Sequence, residues 1–260
     1  MLNEYVEFAV HLSQLAAREI LTHFRASFAV DNKAGEGAYD PVTVADRNAE
    51  AIIRREIRRT YPDHGVIGEE YGTDAGSSPY TWLIDPIDGT RAFVLGQLHW
   101  GTLIALSEAE SPVIGLMHQP FTGETFIGSP RGGELRHQGR IRALTTRQHT
   151  RLCDAVICAT APSMFHTPEL RTAFERVSAL ARSVRYGGDC YTPCMVAAGH
   201  ADLVIEVGMK AWDIQPLMPI VESAGGVVTD WRGVRDTRAN AVVISANPQL
   251  HAEVIDALVG

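Results

Sequence analysis

The segment with the strongest chemical character joins an apolar run to two carboxylates and a glycine. The run Trp82–Ile84 is followed by Asp85-Pro86-Ile87-Asp88-Gly89-Thr90. Hard divalent cations such as Mg²⁺ require oxygen ligands, which Asp85, Asp88 and the Ile87 carbonyl can supply. Gly89 lets the backbone approach a ligand closely, and the amides of Gly89 and Thr90 at a predicted helix start can hold a phosphate group. The spacing therefore indicates a cation and phosphate site where a strand ends.

Two other acidic motifs stand at the ends of predicted elements. Glu69 and Glu70 follow a short apolar run, and Asp213 precedes a predicted helix that begins at Ile214. Each motif has an ordinary alternative: adjacent glutamates usually lie on wet surfaces, and Asp213 is in position to cap its helix. Four converging carboxylates, however, would repel one another unless cations bound between them. We therefore predict one metal site that comprises Glu69, Asp85, Asp88 and Asp213.

The hydrophobic pattern predicts the elements that position these acids. Apolar residues at helical spacing predict a helix over residues 5–20. A second helix is predicted after Thr43, with Thr43 as the N-cap and Asp46 three residues on. The first 70 residues are thus predicted to be helical, except for an exposed, mobile polar loop over residues 31–41.

The pattern changes to strands from Trp82 onward. Alternation predicts an antiparallel meander over residues 100–107, 112–119 and 124–128. Strands are then predicted at 154–159, 202–207, 226–230 and 241–246, and helices at 168–182, 190–199, 214–224 and 248–258. This order predicts a layered αβαβα sandwich, an α+β half followed by an α/β half. We expect an N-terminal domain over residues 1–145 with the metal motifs, and a C-terminal domain over 146–260 that completes the site.

Composition narrows the classes of function. The chain has 260 residues and a net charge of -8, a poor balance for holding a polyanion such as DNA. A small phosphate ester is compatible with this charge, because a bound cation inverts the local field. The N-terminus has neither a basic start nor a long apolar stretch, so we expect no signal peptide, no membrane span and a cytoplasmic location. The four cysteines lack zinc-like spacing, so we expect reduced thiols.

The three acidic motifs, in this order and spacing, resemble the signatures of the inositol monophosphatase-like phosphatases. The resemblance covers nearly the whole chain, including the meander over residues 112–126 and the segment 222–226. It implies the same layered fold and Mg²⁺-dependent hydrolysis of a small phosphate monoester. A water molecule activated by two or three Mg²⁺ ions would attack directly, without a phosphoenzyme. The resemblance also implies sensitivity to Li⁺ and a homodimer.

The resemblance further assigns roles to individual residues. One Mg²⁺ would be held by Glu69, Asp85 and the Ile87 carbonyl, a second by Asp85, Asp88 and Asp213, and a weaker third near Glu69. Thr90 and Glu69 would orient and deprotonate the water, with Asp46 supporting Thr90 and Lys33 contributing from the polar loop. The implied substrate contacts are Gly89, Thr90, Asp189, Glu206 and Asp213.

Finer features resemble the histidinol-phosphatase branch of this family. The segments concerned are 101–104, 118–124 and 185–191. The branch implies hydrolysis of L-histidinol phosphate in histidine biosynthesis. Two carboxylates, Asp189 and Glu206, would suit the ammonium and imidazole of that substrate, and Asn240 would line the same end. Asp189 could instead cap a helix, and Glu206 could be a solvated strand end.

Two other functions are compatible with the same residues. One is hydrolysis of inositol 1-phosphate or of a range of sugar phosphates. The other belongs to a different class: a metal-binding regulatory protein that kept the fold and lost turnover. The presence of every implied metal ligand, together with Thr90, favours an enzyme.

Overall fold

A computed structural model describes residues 2–26, 30–32 and 41–260. The α-helices are α1 (Leu2–His23), α2 (Val44–Thr60), α3 (Thr90–Val94), α4 (Pro168–Leu180), α5 (Tyr191–Ala197), α6 (Ala211–Ser223) and α7 (Pro248–Val259). The first ten strands are β1 (Val30–Asn32), β2 (Pro41–Thr43), β3 (Gly65–Gly68), β4 (Gly72–Asp74), β5 (Tyr80–Asp88), β6 (Gly101–Glu108), β7 (Ser111–Gln119), β8 (Glu124–Ser129), β9 (Gly132–His137) and β10 (Arg140–Ala143). The remaining strands are β11 (Val156–Ala159), β12 (Ser183–Tyr186), β13 (Leu203–Val207), β14 (Val227–Asp230) and β15 (Ala241–Ser245).

Two large sheets organise the described chain. The first has eight strands in the order β10-β9-β8-β7-β6-β5-β3-β4, and the second has five in the order β12-β11-β13-β15-β14. Helices α1 and α2 cover one face of the eight-stranded sheet, α5 and α6 lie between the sheets, and α4 and α7 cover the far face of the second. The predicted αβαβα layering is confirmed. The division into two domains at residue 145 stays a prediction.

Alternation along the central strands produces these layers. Ile104 packs with α1 and α2, whereas its neighbour Leu103 packs with α6 on the opposite face. In the second sheet, Val204 packs with α5 and α6, and Leu203 packs with α4 and α7. Successive side chains of a strand point to opposite faces, so strands apolar on both faces require cover on both.

Helix α6 approaches the eight-stranded sheet closely enough to require glycine there. A Cβ at Gly115 would lie 1.9 Å from the Pro216 carbonyl oxygen, and one at Gly128 would lie 2.1 Å from the Pro219 backbone. The helix runs from Ala211 to Ser223 through both prolines. Its close packing carries Asp213, at its N-terminal end, toward the end of β5.

Several sequence predictions are confirmed, and others are wrong. Thr43 caps α2 and exchanges hydrogen bonds with Asp46, and the meander forms as predicted. The prediction that the first 70 residues are helical is wrong, because residues 65–68 form β3 beside β5. The meander also continues into β9 and β10, and β12 was not predicted. These strands are short or rich in glycine and charge, so they lack a clear apolar alternation.

No helix in the described ranges is long and apolar enough to cross a membrane. All four cysteines are free thiols, as expected. Lys33 and most of the predicted polar loop lie outside the described residues. The described ends of that loop, residues 30–32 and 41–43, pair as antiparallel strands β1 and β2.

Candidate active site

A bulge in β5 brings two of the predicted acids to the same side of the sheet. Residues three apart on a regular strand point to opposite faces. Here Asp85 lies opposite Leu103 and Asp88 lies opposite Gly101, so β5 has one more residue than β6 in this interval. The extra residue reverses the alternation, and both carboxylates face the same space. Asp85 is buried, with 2% of its surface exposed.

The turn after the bulge is held by its own polar groups. The Ile87 amide donates to Asp85 Oδ1 at 3.0 Å, and the Thr90 hydroxyl donates to the Ile87 carbonyl at 3.0 Å. Gly89 has φ +82°, a left-handed conformation that glycine adopts without strain. The chain then enters α3 at Thr90. The predicted helix start after Gly89 is therefore present.

Asp213 reaches the same space from α6. The prediction that Asp213 caps a helix from Ile214 is wrong, because the helix begins at Ala211 and Lys210 is the cap residue. Asp213 is the third helical residue, and its carboxylate accepts from the Lys210 amide at 2.8 Å. Acidic residues are favoured both at the cap and at the third position of a helix, since each position places the carboxylate near unpaired backbone amides.

Oxygen atoms of Asp85, Asp88 and Asp213 lie within 4.8 Å of one another. Burial, followed by the charges of Glu69 and Asp88, raises the pKa of Asp85 well above its usual range. Burial and the charge of Asp88 do the same to the pKa of Asp213. Burial also raises the pKa of Asp88, although the Cys190 amide, which donates to Asp88 at 2.7 Å, opposes this. Three ionised carboxylates buried this close together would repel one another. A bound Mg²⁺ would offset that repulsion, and Mg²⁺ prefers oxygen ligands, so these residues fit a magnesium site.

A cavity of about 470 Å³ opens beside these acids. Predicted site residues in its lining are Glu69, Asp85, Ile87, Asp88, Gly89, Thr90, Asp189 and Asp213. Glu69 is held beside β5 by its amide, which donates to the Ile84 carbonyl at 3.2 Å. Its carboxylate is not part of the close group of three, although Glu69 lines the same cavity and its charge acts on Asp85. The structure thus brings the predicted metal and phosphate residues to one cavity.

Asp46 lies behind this wall on α2. Its carboxylate accepts from the Thr43 amide at 2.8 Å and from the Thr43 hydroxyl at 2.5 Å. Burial raises the pKa of Asp46, and the charge of Glu69 adds to the effect. Within the described residues the Thr90 hydroxyl donates to Ile87, and Asp46 makes no direct hydrogen bond with it. Support of Thr90 by Asp46 therefore stays a prediction.

A second, smaller cavity of about 170 Å³ adjoins the first. Both cavities are lined by Asp88, Thr160, Asp189, Gly208 and Asp213. The smaller one adds Glu206 and the apolar side chains of Leu103, Met164, Pro193, Val207, Met209 and Leu217. It therefore combines apolar walls with carboxylates, unlike the polar cavity around the acid cluster.

Neither Asp189 nor Glu206 has the ordinary structural role that the sequence also allowed, a helix cap for Asp189 and a solvated strand end for Glu206. Asp189 lies before the cap residue of α5, Cys190, and has the left-handed φ of +38°. Glu206 is half-buried and accepts from the Thr160 amide at 2.7 Å and the Thr160 hydroxyl at 3.0 Å. Burial is the main cause that raises the pKa of Asp189 to about 7 and that of Glu206 to about 8. Asn240 is exposed and donates to the Met209 carbonyl.

Sequence reasoning missed several residues of this site. Thr160, Met164 and Lys210 line the two cavities, and the Cys190 amide binds Asp88. Thr160 could have been found, because it directly follows a predicted strand whose end faces the site. The others depend on how loops from the second sheet fold over the first, for which the sequence has no local signal.

Comparison with known proteins places this site in a family. Residues 1–260 match the inositol monophosphatase family. The chain is 35% identical to the bifunctional phosphatase IMPL2, chloroplastic, of Arabidopsis thaliana, over 95% of the chain and 72% of that protein. It is 31% identical to a histidinol-phosphatase of Chlorobaculum parvum, over 97% of the chain and 96% of that protein. An inositol monophosphatase structure from Zymomonas mobilis superposes with a TM-score of 0.86 at 33% sequence identity, over 99% of this chain and 98% of that one. The chain therefore belongs to the inositol monophosphatase family of phosphatases.

Proposed function

We propose that this phosphatase hydrolyses L-histidinol phosphate to L-histidinol and inorganic phosphate, with two or three Mg²⁺ ions per active site. The observation that carries the proposal is the small cavity beside the acid cluster, which places Asp189 and Glu206 between apolar walls. A phosphate held at the acid cluster would leave its alcohol portion in or near this cavity. That portion of histidinol phosphate is cationic and carries a flat ring.

The residues of the larger cavity have distinct parts in the proposed reaction. Asp85, Asp88, Asp213, Glu69 and the Ile87 carbonyl would hold the cations. Bound Mg²⁺ would neutralise the phosphoryl oxygens and lower the pKa of a water nucleophile. The Gly89 and Thr90 amides would hold a phosphate oxygen at the start of α3. The Thr90 hydroxyl and the Glu69 carboxylate would orient the attacking water and accept its proton.

The residues of the smaller cavity would select the alcohol. A carboxylate binds an ammonium group through short, charge-assisted hydrogen bonds. Binding of a cation would favour the ionised forms of Asp189 and Glu206, whose pKa values are raised when no cation is bound. Met164, Pro193 and Leu217 offer apolar contact to an imidazole ring. The Chlorobaculum relative, a histidinol-phosphatase, supports this choice.

A second candidate is hydrolysis of inositol 1-phosphate, which the similarity to an inositol monophosphatase structure from Zymomonas mobilis supports. A neutral polyol needs hydroxyl partners but no paired negative charge. Steady-state kinetics on both substrates with Mg²⁺ separates the candidates. We expect kcat/KM for histidinol phosphate to exceed that for inositol 1-phosphate by about tenfold or more, about 1.4 kcal/mol. A tenfold preference for inositol 1-phosphate would reject the proposed substrate.

The metal requirement is tested on the same protein. Phosphate release should stop in EDTA, return with Mg²⁺ and be inhibited by Li⁺. Cation binding without turnover on any substrate would instead indicate a regulatory protein. The proposal includes a homodimer, which light scattering on the purified chain would test.

A further inference from the structure

A buried carboxylate on α2 contacts the segment that carries Glu69. Glu50 has none of its surface exposed. Its Oε2 accepts from the Glu70 amide at 2.7 Å, and its Oε1 accepts from the Tyr71 amide at 3.2 Å. These are the two amides that follow Glu69 in the chain. A carboxylate with two amide donors is a strong anchor for a turn, because charge-assisted hydrogen bonds are roughly twice as strong as neutral ones.

The same carboxylate lies against the residue before Glu69. A Cβ at Gly68 would be 2.1 Å from Glu50 Oε1, so only glycine fits without displacement of the carboxylate. On its other side Glu69 is tied to β5 through the Ile84 carbonyl. The backbone of Glu69 is thus fixed between β5 and Glu50.

Arg54 completes this arrangement one helical turn further along α2. Its Nε donates to Glu50 Oε1 at 2.6 Å, and it is also buried, with 4% of its surface exposed. Its Nη1 donates to Asp74 at 2.9 Å, and its Nη2 contacts the Gly72 carbonyl. Burial of an ion pair costs more than it returns unless further hydrogen bonds satisfy both partners. Here those bonds go to residues 70–74, in the turn after β3 and in β4.

We propose that Glu50 is a positioning residue that holds residues 68–71 so that the Glu69 carboxylate faces the cavity of the acid cluster. Glu50 is not among the described residues that line that cavity. It acts through Glu69, and so the inference rests on the proposed role of Glu69 as a cation ligand. Loss of the Glu50 carboxylate would then weaken cation binding by the same route as loss of Glu69.

A double-mutant cycle tests this directly. Calorimetric titration of the purified protein with Mg²⁺ is compared for wild type, Glu50→Gln, Glu69→Gln and the double variant. Glutamine keeps the size of the side chain but turns an NH₂ group toward an amide donor. We expect each single change to weaken Mg²⁺ binding about tenfold, and the double variant to be within about twofold of Glu69→Gln. The control is Glu56→Gln on the same helix, whose carboxylate pairs with Arg59, and it should leave Mg²⁺ binding unchanged.

Two results would overturn the proposal. One is unchanged Mg²⁺ binding in Glu50→Gln. The other is a double variant whose loss of Mg²⁺ affinity is the product of the two single losses, because a general structural role of Glu50 predicts independent effects. If Glu50→Gln does not fold, Glu50→Asp replaces it, since aspartate keeps the charge beside Arg54 but falls short of the two amides. Kinetics gives a second readout: Glu50→Gln should lower kcat and raise the Mg²⁺ requirement, with KM for the ester within about twofold of wild type.

The outcomes for Glu50 and for the proposed function can be told apart. If the cycle holds for Mg²⁺ binding but no ester is hydrolysed, the proposed function fails and the role of Glu50 stands. If hydrolysis requires Mg²⁺ but the losses multiply, the role of Glu50 fails alone. If wild type does not bind Mg²⁺, both are rejected.

Discussion

The two cavities place carboxylates in contrasting surroundings. Asp85, Asp88 and Asp213 stand together where backbone amides and a strand bulge fix them. Asp189 and Glu206 are not part of that close group; they line the smaller cavity with apolar side chains, and Asp88 and Asp213 line it too. The first arrangement suits a cation and would serve any phosphate ester. The second suits one kind of alcohol. We therefore propose that one group of acids supports the reaction and the other selects the substrate, and mutations can separate the two roles.

The largest effect is expected from Asp88→Asn in the acid cluster. Loss of this carboxylate should lower kcat/KM on the order of 10³-fold, about 4 kcal/mol, because cation binding and charge neutralisation both suffer. The loss should be similar for histidinol phosphate and for a small neutral phosphate ester, as measured by phosphate release. Thermal unfolding in EDTA serves as the control, since removal of one repelling charge should not lower Tm. A loss confined to one substrate would contradict the proposal that the acid cluster serves the reaction and not substrate selection.

Asp189→Asn should have a smaller effect that depends on the substrate. The change keeps the size of the side chain but removes the charge that would bind an ammonium group, at a cost of about 1.5–3 kcal/mol. KM for histidinol phosphate should rise about tenfold or more, whereas kinetics on a small neutral ester should stay near wild type. Equal losses on both esters would mean that Asp189 supports the fold of the loop before α5.

Stability of the metal-free protein should fall as the pH rises from about 7 to 8.5. The pKa of Asp189 is raised to about 7 and that of Glu206 to about 8, so both prefer the protonated form when folded. Their stabilisation is fully present below the ordinary pKa values of 3.8 and 4.5, declines as the pH rises, and is exhausted above the raised values, so the last part of the decline lies between pH 7 and 8.5. The free energy of unfolding should fall by about 1–3 kcal/mol in urea titrations with EDTA.

Two controls sharpen this pH experiment. Glu206→Gln should reduce the slope, because the carboxyl with a pKa of about 8 is gone. Saturating Mg²⁺ should stabilise the protein more at high pH, since it binds ionised carboxylates. His118 and His251 have pKa values lowered to about 4 by burial, so their stabilisation is lost on the acid side instead. Stability that stays constant from pH 7 to 8.5 in EDTA would contradict the burial of these acids.

The smallest effect is expected from Thr160→Val, which removes one of two hydrogen bonds to Glu206. The backbone amide would still donate, so the cost should be about 0.5–1.5 kcal/mol. KM for histidinol phosphate should rise a few-fold with kcat unchanged, and Thr160→Ser should restore the wild-type value. A fall in kcat shared by both variants would place Thr160 in the reaction chemistry instead of substrate selection.

The sequence was most informative where local chemistry and local structure coincide. The motif from Asp85 to Thr90 combines a strand end, two acids and a left-handed glycine within a few residues, so its form could be predicted. The sequence predicted that Asp213 lies at the start of a helix, but it gave the wrong position within that start, since an aspartate serves equally well as the cap or as the third residue. Glu50 and Thr160 gave no local sign of their partners, which lie 20 and 46 residues away. Such contacts depend on tertiary packing.

The proposed metal site can be tested by anomalous diffraction from crystals of the protein soaked in Mn²⁺, which can replace Mg²⁺ at oxygen ligands. We expect at least one strong peak between Asp85, Asp88 and Asp213, and its loss in Asp88→Asn. A catalytically active crystal form with no peak at these residues, or with its only peak elsewhere, would contradict the proposed metal site.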